Sequence, residues 1–363
     1  MPYADEPPYR HGTPARTAVL LVNLGTPAAP TAAALRPYLA EFLSDPRVVE
    51  IPRLVWWPIL HGIILRVRPA KSAHKYATVW SEEGSPLAKW TARQARQVQD
   101  WLGHQGHDVE VRHAMRYGEP SVPRVLDELK AANVNRVLVV PLYPQYAAAT
   151  TASVGDAAMQ WALKARRVPE FRFVGKFHDD AGYIEALAQS VLRHWQAHGR
   201  GERLVLSFHG VPHRSLLLGD PYHCQCYKTA RLLAERLAVP RDDLLVTFQS
   251  RFGKAKWLEP YTEPTLRELA SQGLKRVDVM CPGFVSDCLE TLEEIDMEAR
   301  QAFLEAGGSE FHYIPCLNED QAWIQALGQL AQRHMQGWDT RSTPEAQVLD
   351  RQRRDALALG ATD

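Results

Sequence analysis

The sequence predicts an α/β protein built from two similar doubly wound lobes, each with a parallel sheet, and a cleft between them. Three observations carry this expectation. Short β-branched runs, apolar throughout, alternate with longer amphipathic stretches, as strands buried on both faces require. The pattern occurs twice: Arg116-Tyr-Gly, Leu126-Asp-Glu-Leu129 and Arg136-Val-Leu-Val-Val are echoed by Arg251-Phe-Gly, Leu266-Arg-Glu-Leu269 and Arg276-Val-Asp-Val-Met. Each half also opens with a strand that ends in a polar turn, Val22-Asn-Leu-Gly-Thr-Pro27 and Ser207-Phe-His-Gly-Val-Pro212.

In chain order the strands are expected at Ala18–Asn23, Val109–Met115, Arg136–Leu142, Arg203–Phe208, Leu244–Gln249, Arg276–Cys281 and Phe311–Ile314. Helical periodicity falls at Pro123–Lys130, Tyr183–His198, Cys226–Leu237, Pro264–Ser271 and Asp287–Glu305. Residues 1–16 read as a flexible start, 17–175 and 176–335 as the two lobes, and 336–363 as a charged, loosely held tail. Duplicated lobes of this kind bind ligands in the crevice at the carboxyl ends of their strands.

Composition narrows the function. The 42 basic and 42 acidic side chains cancel, so no global field gathers nucleic acid or coats an anionic membrane. Five cysteines without a spaced framework argue against a disulfide scaffold, and the polar, Pro-rich start lacks a signal-peptide core. A cytoplasmic protein is expected. The longest greasy run, Leu54-Val-Trp-Trp-Pro-Ile-Leu-His-Gly-Ile-Ile-Leu65, falls short of the ~18 residues that cross a bilayer. It reads either as a buried helix and turn or as an exposed lip over an apolar ligand, with peripheral lipid contact.

Two groups of residues point to chemistry. His209 follows an apolar strand, which puts an imidazole at a strand's carboxyl end, where it can take a proton or bind a divalent metal. A simple hydrogen-bonded turn histidine is the alternative. Glu290, Glu294 and Glu298 recur every four residues and so form one helical ridge, with Asp287 one turn earlier. Such a ridge is a solvent face or a track for cations and protons. Glu293 and Asp296 fit the solvent face. Leu24, Tyr117, Tyr143, Tyr146, Phe284 and Trp257 are apolar or aromatic residues at strand ends and in loops, suited to a flat ligand. Arg116 can grip a ligand carboxylate or pair with a local acid.

Taken together, Asn23-Leu-Gly-Thr-Pro27, Gly84-Ser-Pro86, Arg116-Tyr117, Tyr143-Pro-Gln-Tyr146, Ser207-Phe-His-Gly-Val-Pro212, Gly219-Asp-Pro-Tyr222, Phe248-Gln-Ser-Arg251, Trp257-Leu258 and Ser286-Asp-Cys-Leu-Glu-Thr-Leu292 resemble the ferrochelatases from about Ala18 to about Leu330. The resemblance implies Rossmann-like lobes around a porphyrin cleft and insertion of Fe2+ into protoporphyrin IX. By the same transfer, His209 and Glu290 are the catalytic pair and metal contacts, and Glu294 and Glu298 lie on the acidic path. Leu24, Arg116, Tyr117, Tyr146 and Trp257 bind the porphyrin, with residues 50–70 as the lip.

Two departures stand out. Many members carry His where this chain has Cys288, and cluster-bearing members often have cysteines in a C-terminal extension, whereas none here lies beyond Cys316. No iron–sulfur cluster and no cofactor beyond substrate iron are expected. Monomer and homodimer both remain open, as do a chelatase for cobalt, nickel or coproporphyrin and a non-catalytic heme carrier.

Overall fold

The computed structural model describes residues 3–253, 255–341 and 345–362. Within it, the duplicated halves are two all-parallel, four-stranded sheets with the same strand order. The first is β2-β1-β3-β4, formed by β1 (Arg16–Gly25), β2 (Glu110–Tyr117), β3 (Val134–Pro141) and β4 (Glu170–Phe173). The second is β6-β5-β7-β8, formed by β5 (Arg203–His209), β6 (Leu244–Gln249), β7 (Arg276–Met280) and β8 (Glu310–Ile314). The central strands are buried on both faces; Ala18 to Val22 and Val205 to Ser207 are wholly inaccessible. That is why they read as unbroken apolar runs. The strand that periodicity missed is β4. Its sequence Glu-Phe-Arg-Phe alternates, and Phe173 remains partly exposed, as suits a short edge strand.

The closing helices are exchanged between the lobes. Helix Ala181–His198 follows the first sheet in the chain but lies on the second, where Trp195 Nε1 donates to Asp278 of β7 at 2.7 Å. Helix Gln321–His334 follows the second sheet and is tied to the first, its last carbonyl accepting from Arg172 of β4 at 3.0 Å. The two helices are built alike. Asp180 and Asp320 cap them by accepting backbone N–H bonds at the second and third following residues. Arg193 and Arg333, each thirteen residues past its own cap, pair with the cap of the other helix. Gly182 lets the helices touch at Ala326, and Gly328 lies flat on the Trp101 ring of helix Pro86–His104. One apolar core therefore runs from Leu21 and Leu138 through Trp323 to Leu206 and Phe208.

The flexible start and loosely held tail expected at 1–16 and 336–363 make defined contacts in some of their described parts. Glu6 accepts from Lys130 at 2.6 Å and from the Arg166 and Arg167 amides. Trp338 and Thr340 are buried, with Thr340 against His107 at 2.7 Å, and Ala346–Ala358 is helical. Met1, Pro2, residues 342–344 and Asp363 belong to the same two expectations and lie outside the described residues.

A Cβ at Gly328 would come within 2.3 Å of the Trp101 ring. Gly328→Val should therefore destabilise the protein by about 1–3 kcal/mol through overpacking, read as a lower urea midpoint at unchanged slope.

Candidate active site

His209 is the last residue of β5, at the carboxyl edge of the second sheet. Its Nδ1 lies 2.6 Å from the Gly210 carbonyl. A carbonyl only accepts, so Nδ1 carries a proton, and in the neutral ring Nε2 is then the nitrogen with the lone pair. The turn is tight enough to need glycine: a Cβ at Gly210 would sit 2.6 Å from the Gln249 carbonyl and 3.2 Å from the Trp257 ring. Trp257 pairs through its backbone with Pro212 and packs on Phe252. Its Nε1 is buried without a hydrogen-bond partner among the described residues.

Gln249, at the end of β6, joins this histidine to the carboxylate ridge. It is the register partner of His209, so the two side chains leave the same face of the sheet. The Gln249 Oε1 accepts from Ser207 at 2.8 Å, while its Nε2 donates to the Glu290 carbonyl at 2.8 Å and to Glu294 at 3.3 Å. Glu294 also accepts from the Ser250 amide at 2.7 Å and from the Ser250 hydroxyl. Gln249 thus ties the Glu290 backbone and the Glu294 carboxylate to the sheet edge where β5 ends in His209.

The ridge is a π-helix, Glu290–Ala299. Its i→i+5 bonding brings residues five apart into line, which an α-helical reading does not anticipate. Glu293 and Glu298 consequently share a face and one cation, Lys75, at 3.0 and 2.8 Å. This corrects the solvent-face expectation for Glu293, which is only 7% exposed. Burial raises its pKa, against the pull of Lys75. Asp296 is partly exposed and pairs with Arg300.

Across the seam the first lobe meets Glu290 with an apolar cluster. Leu289 packs against the buried cluster that holds Leu60, Leu65 and Tyr76, as Leu24 and Trp56 also do. Burial, and after it the charge of Glu290, pushes the Tyr76 hydroxyl well above its usual range. Tyr146 lies at another point of the lobe seam, its amide donating to Gln225 at 2.8 Å. Arg116 and Tyr117 are committed elsewhere. Asp45 is buried, and its Oδ2 accepts from Arg116 at 2.6 Å, Tyr117 at 2.8 Å and Ser153 at 2.6 Å. Burial works to raise the Asp45 pKa, but these partners hold it low. Of the two partners open to Arg116 in the sequence, the local acid holds it here.

The greasy run is exposed along one face, with Leu60 and Leu65 buried beneath it. It forms helix Arg53–Ile59, a π-turn Leu60–Ile64 and helix Leu65–Val79. Leu54 is 93% exposed, and Trp57, Ile63 and Val67 stand out beside it. No helix among the described residues is long and apolar enough to cross a membrane. Arg68, on the inner part of the lip, lies 4.4 Å over the Phe252 ring next to Trp257. It has no ion pair among the described residues, and burial lowers its pKa. A half-buried guanidinium without an acid is where a ligand carboxylate is wanted. The sequence signal was Arg66-Val-Arg68 closing the apolar run.

The ferrochelatase family model matches residues 16–335. The chain belongs to the ferrochelatase family. It is 66% identical to the ferrochelatase of Methylibium petroleiphilum, over 99% of this chain and 99% of the relative. It is 61% identical to that of a Polaromonas species, over 99% and 100%. Among solved structures, the cobalt complex of a Bacillus subtilis subspecies spizizenii sirohydrochlorin chelatase shares the fold at a TM-score of 0.50 and 12% identity, covering 89% of this chain and 97% of that one. A multi-domain Deinococcus radiodurans protein with structural similarity to chelatases matches at 0.51 and 15%, covering 95% and 59%.

Lys75→Met leaves Glu293 buried without its cation. The penalty falls on the charged carboxylate, so it is greatest above the Glu293 pKa and fades as acid protonates the group. Urea melts should show a loss of roughly 1 kcal/mol at pH 7.5 and a smaller one near pH 5.

Proposed function

We propose that this chain inserts ferrous iron into protoporphyrin IX, giving protoheme and two protons, the final step of heme formation. The observation that carries this reading is the Gln249 junction. Gln249 is the register partner of His209 and bonds the Glu290 carbonyl and the Glu294 carboxylate, and this supports placing the imidazole and the carboxylate ridge at one site.

Metallation exchanges two pyrrole protons for one Fe2+, so charge balances without any redox partner. His209 Nε2, with its lone pair directed away from Gly210, is the acceptor for the first proton or the first metal contact. Glu290 takes the second proton. Glu294 and Glu298 extend the acidic path outward, with oxygen donors that hold a hard cation loosely enough to release it. Lys75 neutralises Glu298 at the outer end, and an incoming cation replaces it. Leu24 and Trp257 form apolar walls for the macrocycle, and Tyr146 contributes from farther along the seam. Arg68 takes a propionate, while Arg116 and Tyr117 act through Asp45 to brace the wall. Binding energy along these walls favours a bent ring whose nitrogens point at the metal.

No iron–sulfur cluster is proposed. Burial raises the Cys226, Cys281, Cys288 and Cys316 thiols well above their usual range. We place the enzyme in the cytoplasm, resting on the membrane face through residues 54–65.

The deciding experiment is anaerobic Fe2+ with protoporphyrin IX or coproporphyrin, following loss of free-base fluorescence; cobalt and nickel in place of iron test the other chelatase readings. His209→Ala should abolish turnover while porphyrin still binds, and normal turnover removes His209 from the mechanism. Glu290→Gln should lower kcat by about 10²-fold or more with porphyrin affinity kept. Arg68→Leu should raise the porphyrin KM roughly tenfold and leave kcat near wild type.

A further inference from the structure

Helix Pro86–His104 of the first lobe reaches two parts of the proposed site through buried side chains. Thr91 and Gln94 are three residues apart, and so on one face, and both are wholly inaccessible. Thr91 Oγ1 accepts from Asn23 Nδ2 at 3.0 Å, and Asn23 Oδ1 accepts from the Leu24 amide at 2.9 Å. One end of this link is thus the turn that presents Leu24.

Gln94 makes the other end. Its Nε2 donates to the Asn318 carbonyl at 2.7 Å and to the Val285 carbonyl at 3.1 Å. Carbonyls only accept, so the amide must turn its nitrogen toward them. Its Oε1 has no hydrogen-bond partner among the described residues. A buried acceptor left unpaired is unfavourable, so packing by itself would favour an apolar side chain here.

The loop that Gln94 grips holds the start of the ridge. Asn318 has a left-handed backbone, with φ 45°, and its amide donates to the Val285 carbonyl at 2.9 Å. Its side chain clamps Asp287: Oδ1 accepts from the Asp287 amide at 2.8 Å, and Nδ2 donates to Oδ2 at 2.6 Å. Asp287 Oδ1 accepts in turn from the Thr291 hydroxyl at 3.1 Å and from Tyr313 at 2.6 Å. Thr291 follows Glu290 in the first turn of the π-helix. The path runs from Gln94 through Asn318 and Asp287 to Thr291 and ends beside Glu290. Arg93 and Gln97 of the same helix hold Glu319, the next residue of the loop, at 3.0 and 3.1 Å.

We propose that Gln94 is a positioning residue for metal insertion. Through it, helix Pro86–His104 fixes the distance between the Leu24 wall, on which the macrocycle lies, and the first turn of the carboxylate ridge. The inference rests on the chelatase reading and adds a residue that touches neither porphyrin nor metal. Gln249 ties the ridge to its own sheet; Gln94 ties it to the lobe that carries the ring wall. Proton and metal transfer need reacting atoms about 3 Å apart, and an error of roughly 1 Å lowers the rate by about 10²-fold. Porphyrin affinity, spread over the apolar walls, changes little.

The test compares full-length wild type, Gln94→Met and Asn318→Gly. Methionine keeps the length of the side chain and removes its donors. Glycine accepts the left-handed backbone and removes the clamp on Asp287. Each variant should lower kcat roughly tenfold or more and keep the porphyrin KM within about twofold of wild type. Each should also speed amide hydrogen exchange across Glu290–Ala299 while β6 keeps its wild-type rate. Because the two residues act in one path, the double variant should lose no more than the larger single loss. If one variant folds poorly, the other carries the same readings.

Wild-type kcat in these variants overturns the proposal, as do losses that multiply in the double variant, or ridge amides that exchange at the wild-type rate. A wild-type protein that leaves Fe2+ and protoporphyrin IX unreacted defeats the chelatase reading instead, and the exchange measurement then still decides whether Gln94 holds the ridge.

Discussion

The carboxamide of Gln249 is the constraint on which the candidate site depends. It presents one acceptor and one donor in fixed directions. The acceptor is satisfied by Ser207 of β5, and the donor by the Glu290 carbonyl and the Glu294 carboxylate. Because these partners lie on a strand and on the ridge helix, one buried amide sets the height of the carboxylates relative to the sheet edge. His209, the register partner of Gln249, inherits that placement. A buried amide with all its bonds made is rigid; one with a bond missing leaves a desolvated polar atom.

Around that junction the two lobes take unequal parts. The second lobe supplies the groups with lone pairs and charge: His209, Glu290 and Glu294. The first supplies surface, through Leu24, Tyr76 and the exposed lip, and two cations that reach across, Lys75 to the ridge and Arg68 to Phe252. A duplicated fold thus carries its asymmetry in side chains. The exchange of closing helices, with each cap aspartate paired to the other helix's arginine, joins the lobes into one core and limits how far the seam can open.

The fold was legible because buried parallel strands must be apolar on both faces and helices must show a stripe, and both leave a period in the sequence. Seven of the strands follow from that. The edge strand β4 did not, since one of its faces is half-exposed and its pattern alternates. His209 was legible as a residue at a strand's carboxyl end, and Glu290 as one at a helix start. Glu293 was misplaced because a π-helix has a different period from the α-helix, and its single extra residue per hydrogen-bonded turn leaves no mark in composition. Arg68 went unnoticed, and Arg116, which the resemblance put on the porphyrin, is held by a local acid, for a common reason. Which arginine has an acid already beside it is a matter of long-range pairing, and Asp45 lies 71 residues from Arg116.

What this sequence determined by itself is the set of local rules: strand and helix periods, the duplication, the caps at Asp180 and Asp320, and the residue types able to move protons and hold a cation. Tertiary structure alone decided which of those side chains share a space. Partners such as Gln249 with Glu290, Lys75 with Glu293, and Gln94 with Asn318 lie far apart along the chain, on elements that only packing brings together. Hydrogen bonds and ion pairs act over a few ångströms, and nothing in the local pattern of a chain records which distant residue will arrive within that range.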